Sequence, residues 1–145
     1  MASRHRQTGR PLTRALGPQK ARVMQLIKRK DIPVLRNSGV ESEQLLFPES
    51  SPDAMSTVTR VTVPSGVTSP RHAHYASEQV WIVLSGQGTL LLEGESEAAI
   101  HEGDVVRFAP GDVHGVFNVS NTPFVYLSVT TPPQNFRSAY AKQWR

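Results

Sequence analysis

Residues 66–86 of the 145-residue sequence read GVTSPRHAHYASEQVWIVLSG, and residues 103–118 read GDVVRFAPGDVHGVFN. Three of the five histidines, His72, His74 and His114, fall in these stretches. Imidazole is the commonest protein ligand for divalent transition metals, and two histidines at i and i+2 of an extended segment share one face. A histidine from a later hairpin can join them only if the sheet curls back on itself. The sequence therefore predicts a metal site inside a barrel.

The glycines, histidines and asparagine of these stretches resemble the two motifs of the cupin superfamily. The usual first motif is Gly-x5-His-x-His, three or four residues, Glu, six residues and Gly, and the usual second motif is Gly-x5-Pro-x-Gly-x2-His-x3-Asn. Two positions depart, since Gln79 stands where the family usually has glutamate and Ala109 where it has proline. The resemblance covers about residues 40–132 and implies an all-β fold, the cupin double-stranded β-helix or jelly-roll barrel. Eight positions are in register: Gly66, His72, His74, Gly86, Gly103, Gly111, His114 and Asn118.

From residue 31 onward, short β-type segments alternate with Gly, Pro and Ser turns. Many short strands at regular spacing predict a sandwich or barrel, and a chain of this length builds one sizeable core. We therefore predict a single barrel with a C-terminal tail over residues 31–145. In that tail, Phe136, Tyr140 and Trp144 predict an aromatic stripe on a short helix, docked on the barrel or across a dimer. The predicted strands are Ile32–Leu35, Gln44–Phe47, Ser56–Pro64, Gln79–Leu84, Thr89–Glu93, Ala98–His101, Val105–Phe108, Gly115–Asn118 and Phe124–Thr130.

The N-terminal segment is basic and differs from the rest of the chain. Residues 1–30 hold nine of the sixteen Lys and Arg residues and no acid, whereas residues 31–145 hold seven basic and twelve acidic residues, a net charge of −5. Residues 1–18 cannot bury a core and are predicted to be a disordered basic tail. Transit peptides share this composition, but we favour an over-extended start site or a cloning leader because Arg-rich leaders are unspecific. Residues 19–30 have helical apolar spacing and predict a short N-terminal helix.

Composition excludes several classes of function. Because the basic charge belongs to the tail, the barrel is not expected to bind nucleic acid. No apolar run approaches the roughly 18 residues of a membrane helix, so no membrane partner is expected. The absence of cysteine removes disulfides and thiolate ligands and fits a cytoplasmic location. The resemblance implies a homodimer, and an edge strand from the Ile32–Phe47 region would support it.

A fourth metal ligand is predicted at Gln79. Trp81 and Val83 share its strand face, and the resemblance places the ligand at this position. Glu78 remains the alternative, because a shift of one residue in the preceding loop would exchange the two. The resemblance implies one divalent transition metal, with Mn, Fe, Ni, Co and Zn all compatible. Three imidazoles and an amide leave the ion its full +2 charge, which makes it a stronger Lewis acid than a carboxylate ligand would.

Strand alternation also predicts the lining of a substrate pocket. Tyr126, Ser128 and Thr130 share one face of the last strand, and Trp81 is either an apolar wall or a core residue. Arg60 either lines the barrel, where its fork could hold a substrate carboxylate, or is an exposed strand arginine. Catalytic roles stay unassigned, with Arg60, Tyr126 and Ser128 as candidates.

The resemblance implies a metal-dependent enzyme. The substrate would be a small oxygen-rich molecule, such as a hydroxy or keto acid, a sugar or a carbonyl compound, and the chemistry of Lewis-acid isomerase or lyase type. The three-His, one-Gln arrangement is similar to KdgF-like cupins and to manganese cupins with hydroxynitrile lyase activity. The ketouronate enzymes carry an acid, an aromatic residue and an arginine where this chain has Ser128, Thr130 and Gln134, so ketouronate activity is not carried over. The alternatives are a mononuclear-metal dioxygenase and a non-catalytic small-molecule binding cupin.

Overall fold

The computed structural model describes residues 24–144. This part of the chain contains ten strands and one short helix. Each of the nine predicted strands has a counterpart, and one further strand, β4, crosses the first histidine motif. The elements in chain order are β1 (Val34–Asn37), β2 (Val40–Leu46), β3 (Thr57–Val63), β4 (Thr68–His72), β5 (Glu78–Ser85), β6 (Gln87–Leu92), β7 (Glu97–His101), β8 (Val105–Phe108), β9 (His114–Phe117), β10 (Phe124–Thr131) and α1 (Arg137–Ala141), with 3-10 turns at Arg29–Asp31 and Glu93–Glu95.

The strands form two antiparallel sheets. The larger sheet has the order β1-β2-β3-β10-β5-β8, and the smaller has the order β4-β9-β6-β7. The last strands, β9 and β10, insert between pairs formed earlier in the chain, so the two sheets wind together as a double-stranded β-helix. The predicted all-β jelly-roll fold is therefore confirmed.

Side chains that point into the barrel divide it into an apolar and a polar part. The apolar part includes Val63, Val83, Val116 and Phe124, which are at most 3% exposed. Burying each such side chain contributes about 1.5–3 kcal/mol. Inward-facing polar side chains are buried further along the same strands: Thr57 on β3, Gln79 on β5, Ser128 and Thr130 on β10, and His114 on β9. The apolar part is the stable core, and the polar part is the candidate functional region.

Two motif glycines permit close backbone approaches that a side chain would block. Gly86, with φ +80°, turns the chain between β5 and β6, and a Cβ there would lie 2.3 Å from the Pro123 carbonyl oxygen. A Cβ on Gly115 would lie 2.7 Å from the Ser69 carbonyl oxygen. Gly115 therefore lets β9 press against β4, which places His114 opposite His72 in the register of the pair.

Asn118 explains the last position of the second motif. It is fully buried, and its side-chain amide donates to the carbonyl oxygens of Val63 at 2.9 Å and Thr122 at 2.7 Å. Its carbonyl oxygen accepts from the backbone N–H of Ser120 at 3.0 Å and from the Ser120 hydroxyl at 2.7 Å. One side chain thus ties the end of β3 to the turn between β9 and β10.

The helix predicted over residues 19–30 is wrong where the structure describes it. Residues 24–28 have no regular secondary structure, and only the 3-10 turn Arg29–Asp31 follows. Gln25 instead holds this segment against a loop of the barrel, donating to the Ser50 carbonyl oxygen at 3.1 Å and accepting from the Ser51 hydroxyl at 2.7 Å. Residues 19–23 and the predicted disordered tail over residues 1–18 lie outside the described residues.

The C-terminal segment docks on the barrel, one of the two placements predicted from its aromatic spacing, but only Tyr140 of the three aromatics lies within α1. Phe136 is buried, and Tyr140 and Trp144 pack against the core with their ring centroids 4.9 Å apart. The Asn37 side-chain amide donates to the carbonyl oxygens of Tyr140 at 3.2 Å and Lys142 at 2.6 Å. Among residues 24–144, α1 is the longest helix, and it is too short to cross a membrane.

Candidate metal centre and its cavity

Three histidine rings meet where β4 and β9 pair. His72 ends β4, His74 follows two residues later, and His114 begins β9. The three ring centroids are 4.5–5.3 Å apart, and one nitrogen of each ring lies within 4.8 Å of the others. The structure thus brings together the three histidines that the sequence predicts as ligands.

Backbone carbonyls decide which nitrogen of two of these rings carries a proton. Nδ1 of His72 lies 2.8 Å from the Pro70 carbonyl oxygen, and Nδ1 of His114 lies 2.9 Å from that of Asp112. A carbonyl oxygen only accepts hydrogen bonds, so each Nδ1 must donate. In the neutral rings Nε2 therefore keeps a free lone pair, which is the state that a metal ligand requires.

All three rings are held neutral near pH 7. Burial lowers the pKa of His74 and His114 to about 4. Repulsion from a neighbouring histidine, when that ring is protonated, adds to the lowering. A side-chain hydrogen bond with Gln134 partly offsets the lowering at His74. Burial also lowers the pKa of His72, although it is the most exposed of the three. Neutral imidazole is the metal-binding form, so the lowered pKa values favour ligation.

Gln79 on β5 points its amide into this cluster and is 4% exposed. Its Oε1 accepts from the indole N–H of Trp81 at 2.8 Å, and its Nε2 donates to the Thr130 hydroxyl at 2.9 Å. Because an indole nitrogen can only donate, the atom facing Trp81 must be the amide oxygen. That oxygen also lies 3.2 Å from Nε2 of His114.

Two hydrogen-bond acceptors, Oε1 of Gln79 and Nε2 of His114, face each other without a proton between them. With the His114 proton on Nδ1, both Oε1 and Nε2 present lone pairs across 3.2 Å of buried space. A cation between them resolves this repulsion. Two ligand atoms about 2.1 Å from one tetrahedral or octahedral ion are separated by about 3.0–3.4 Å, which the observed distance matches. The donor set therefore fits a divalent metal.

Two polar residues considered from the sequence point away from this centre. Glu78 faces the outside of the barrel and pairs with Arg107 at 2.6 Å, so the alternative ligand is wrong. Arg60 does not line the cavity, because β3 turns Thr57, Thr59, Val61 and Val63 inward. Its guanidinium forms a bidentate pair with Glu43, opposite it on β2, at 2.6 and 2.7 Å. The predicted pocket and catalytic roles of Arg60 are therefore wrong.

A cavity of about 390 Å³ opens beside the histidines. Trp81, Tyr126 and Ser128 line it as predicted, whereas Thr130 lies behind its wall and holds Gln79. The aromatic spacing of the C-terminal segment was the available sequence signal for Phe136, Tyr140 and Trp144, whereas the alternation of β3 does not decide which of its faces points inward. The sequence patterns do not assign the following lining residues to the cavity: Thr59, Val61, Ser69, Gln134, Phe136, Ala139, Tyr140 and Trp144.

Comparison with known proteins identifies the barrel. Residues 59–130 match the family model described as the cupin domain. The barrel is a cupin domain. An uncharacterised protein of Methanocaldococcus jannaschii is 28% identical over 101 residues, which cover 70% of this chain and 80% of that one.

Solved structures share the cupin fold. A predicted oxalate decarboxylase from Thermotoga maritima superposes with a TM-score of 0.65 at 24% identity, covering 74% of this chain and 99% of that one. KdgF from Halomonas sp. superposes with a TM-score of 0.63 at 16% identity, covering 76% and 96%. At these identities the likeness shows the fold alone.

The cupin cavity carries little fixed charge. No Asp or Glu of residues 24–144 lines it. Arg71 contributes to the lining, but its Nε donates to the Leu92 carbonyl oxygen at 2.8 Å. Burial raises the pKa of Tyr126 and of Tyr140, so both phenols are protonated at neutral pH. Apart from the histidines and the remaining N–H groups of Arg71, the side-chain groups available to a ligand are hydroxyls, phenols and amides.

Proposed function

We propose that this cupin is an enzyme that binds one divalent transition metal through His72, His74, Gln79 and His114. It acts on a small oxygen-rich molecule, a hydroxy or keto acid, sugar or other carbonyl compound, by Lewis-acid chemistry of isomerase or lyase type. The observation that carries the proposal is the buried contact of two acceptors, Gln79 Oε1 and His114 Nε2, at 3.2 Å. Two proteins with this fold, a predicted oxalate decarboxylase and KdgF, are compatible with it.

The donor set limits the metal and sets its charge. Three imidazole nitrogens and an amide oxygen suit Mn, Fe, Ni, Co or Zn. All four ligands are neutral, so an ion bound here keeps its +2 charge and, when bound, polarises a carbonyl group or favours ionisation of a hydroxyl. The same missing carboxylate disfavours the higher oxidation states that oxygen activation requires, which argues against the dioxygenase alternative.

The remaining side chains orient these ligands. Trp81 and Thr130 fix the amide of Gln79 from two sides. The carbonyl groups of Pro70 and Asp112 orient the rings of His72 and His114. Such partners of metal ligands typically change metal affinity or activity 10–100-fold when removed. The geometry is therefore held before a metal or substrate arrives.

The cavity wall supplies binding and proton donors. Phe136 packs edge-on against His74 with centroids 5.6 Å apart, and Tyr140 and Trp144 line the cavity with it. The protonated phenols of Tyr126 and Tyr140 can donate a hydrogen bond to an oxygen that gains negative charge. Tyr126 is thus retained as a candidate catalytic residue.

The proposal is tested by turnover in heavy water. Full-length protein loaded with Mn²⁺ or Zn²⁺ is incubated with 2-hydroxy and 2-keto acids, and proton NMR follows deuterium exchange beside the carbonyl group and product formation. We expect turnover that His114→Ala abolishes and that His101→Ala, a matched variant of an exposed histidine outside the cluster, retains. Metal-dependent oxygen consumption would contradict the proposal in favour of the dioxygenase. Ligand binding without turnover would favour the non-catalytic binding module.

A further inference from the structure

One row of inward-facing side chains crosses the larger sheet below the metal centre. Cross-strand register pairs Gln44 with Thr59, Thr59 with Ser128, and Ser128 with Trp81. We call Gln44, Thr59, Ser128 and Trp81 the polar row. Thr59, Ser128 and Trp81 line the cavity, and Gln44 lies beyond Thr59 on β2.

The polar row contains both of the unsatisfied buried side-chain atoms found in residues 24–144. These are Oε1 of Gln44 and Oγ of Ser128, in side chains that are 1% and 3% exposed. A buried polar atom without a partner costs about 1–3 kcal/mol, so native proteins keep few of them. Only Ser128 of the two lies in the cavity wall, so its hydroxyl is the one that can pair with a polar group that is not part of the chain.

Ser128 lies within reach of a ligand held at the metal centre. On β10 it precedes Thr130 by two residues on the same face, which is a distance of about 7 Å along the strand. Thr130 and Trp81, its neighbours along and across the sheet, both hydrogen-bond Gln79. A ligand whose oxygens meet the metal centre therefore reaches Ser128 only with a second polar group, three or four atoms further along.

The wall beside Ser128 suits a short carbon chain. Trp81 and Tyr126 stack with ring centroids 4.1 Å apart, and Val61 lies next to Tyr126 in register. The charge balance favours an anion at the other end of the ligand, because the four proposed metal ligands are neutral and no described carboxylate lines the cavity. These features together describe a short carboxylate ligand that is polar at both ends.

We propose that Ser128 is a specificity-determining residue that hydrogen-bonds the distal hydroxyl or carbonyl group of the ligand. This rests on the proposed metal-dependent function and narrows its substrate class. The preferred ligand is a 2-hydroxy or 2-keto acid with a further oxygen on C4 or C5. A ligand that lacks this oxygen leaves the Ser128 hydroxyl unpaired, so the cavity discriminates against it.

The test compares ligands that differ by one hydroxyl. Binding of 2,4-dihydroxybutanoate and 2-hydroxybutanoate, and of 2,5-dihydroxypentanoate and 2-hydroxypentanoate, to the full-length Zn²⁺-loaded protein is measured by calorimetry. We expect one dihydroxy acid to bind about tenfold more tightly than its partner, as one buried hydrogen bond provides. Ser128→Ala and the similarly sized Ser128→Cys should lose the preference and bind the monohydroxy acid as the wild type does. Ser51→Ala, a buried serine outside the cavity, should keep it.

A separate Zn²⁺ titration distinguishes the two proposals. If Zn²⁺ binds but the wild-type protein binds neither dihydroxy acid more tightly than its monohydroxy counterpart, the role of Ser128 is overturned and the metal centre stands. A preference that survives in both Ser128 variants overturns it equally. If no Zn²⁺ binds, the metal-dependent function fails, and the Ser128 proposal fails with it.

Discussion

Acid should destabilise the metal-free protein through His114, and the size of the effect can be stated in advance. The ring is 1% exposed, stacked on Phe108 with centroids 4.1 Å apart, and its pKa is lowered to about 4 from an ordinary value of 6.5. Between these values the unfolded chain binds a proton that the folded ring refuses. The contribution to stability is therefore complete above pH 6.5 and is lost as the pH falls toward 4.

The two pKa values give the magnitude. At pH 5 the linkage relation predicts that this one ring costs about 2 kcal/mol of the free energy of unfolding relative to pH 8. His72 and His74 also have pKa values lowered by burial, and Glu43 and Glu49 have pKa values lowered mainly by hydrogen bonds from Arg60 and Arg137, so the protein loses stability in acid through these groups as well. All four are present both in the wild type and in a His114 variant, so comparing the two isolates the His114 ring.

Urea unfolding in EDTA at pH 8 and pH 5 measures the effect. His114→Gln replaces the titrating ring, so its loss of stability between the two pH values should be about 2 kcal/mol smaller than that of the wild type. His101→Gln should behave as the wild type, because that ring is exposed and outside the cluster. Equal losses in the wild type and His114→Gln would refute the account of a buried, neutral His114.

Three further predictions concern the ligand, the core and assembly. Gln79→Glu should raise the Zn²⁺ affinity measured by calorimetry at least about tenfold, because it adds a negative ligand. Glu78→Gln should leave that affinity unchanged. If instead Glu78→Gln changes the affinity and Gln79→Glu does not, Glu78 is the ligand. Asn118→Leu should cost about 3–5 kcal/mol in urea unfolding because four hydrogen bonds are lost, and a loss below about 1 kcal/mol would contradict its tying role. Ile82 and Leu84 form an apolar patch on the outer face of β5 and are 37% and 41% exposed. If the expected homodimer uses this face, sedimentation velocity should show that Ile82→Asp is a monomer. A variant that remains a dimer would place the interface elsewhere.

The part of the fold and site that the sequence predicts well depends on alternation and fixed spacing. The choice of Gln79 over Glu78 follows from the parity of β5, since Gln79, Trp81 and Val83 are all buried. His72, His74 and His114 converge because motif spacing encodes the pairing of β4 with β9. Both patterns lie within short stretches of sequence, and the alternation of side chains along a strand also determines which of its faces is buried.

Other features depend on contacts that are distant in sequence. Both faces of β3 carry Thr and Val, so alternation alone cannot decide that Thr59 points inward and Arg60 outward; the Glu43 partner on β2 decides it. The predicted N-terminal helix loses to tertiary contacts of Gln25 with a loop about 25 residues away. The strand β4 is missed because Pro70 interrupts its pattern, and the structure has a register shift there.

Metal analysis of the full-length protein shows whether each chain binds one divalent ion through the histidine cluster. Plasma mass spectrometry on wild type, His114→Ala, Gln79→Ala and His101→Ala, each reconstituted and dialysed, measures the metal bound per chain. We expect about one Mn, Fe, Ni, Co or Zn per chain in the wild type and in His101→Ala, loss of the metal in His114→Ala, and weakened retention in Gln79→Ala. A wild-type protein that contains no metal and takes none up on reconstitution would contradict the metal centre, and with it the proposed enzyme.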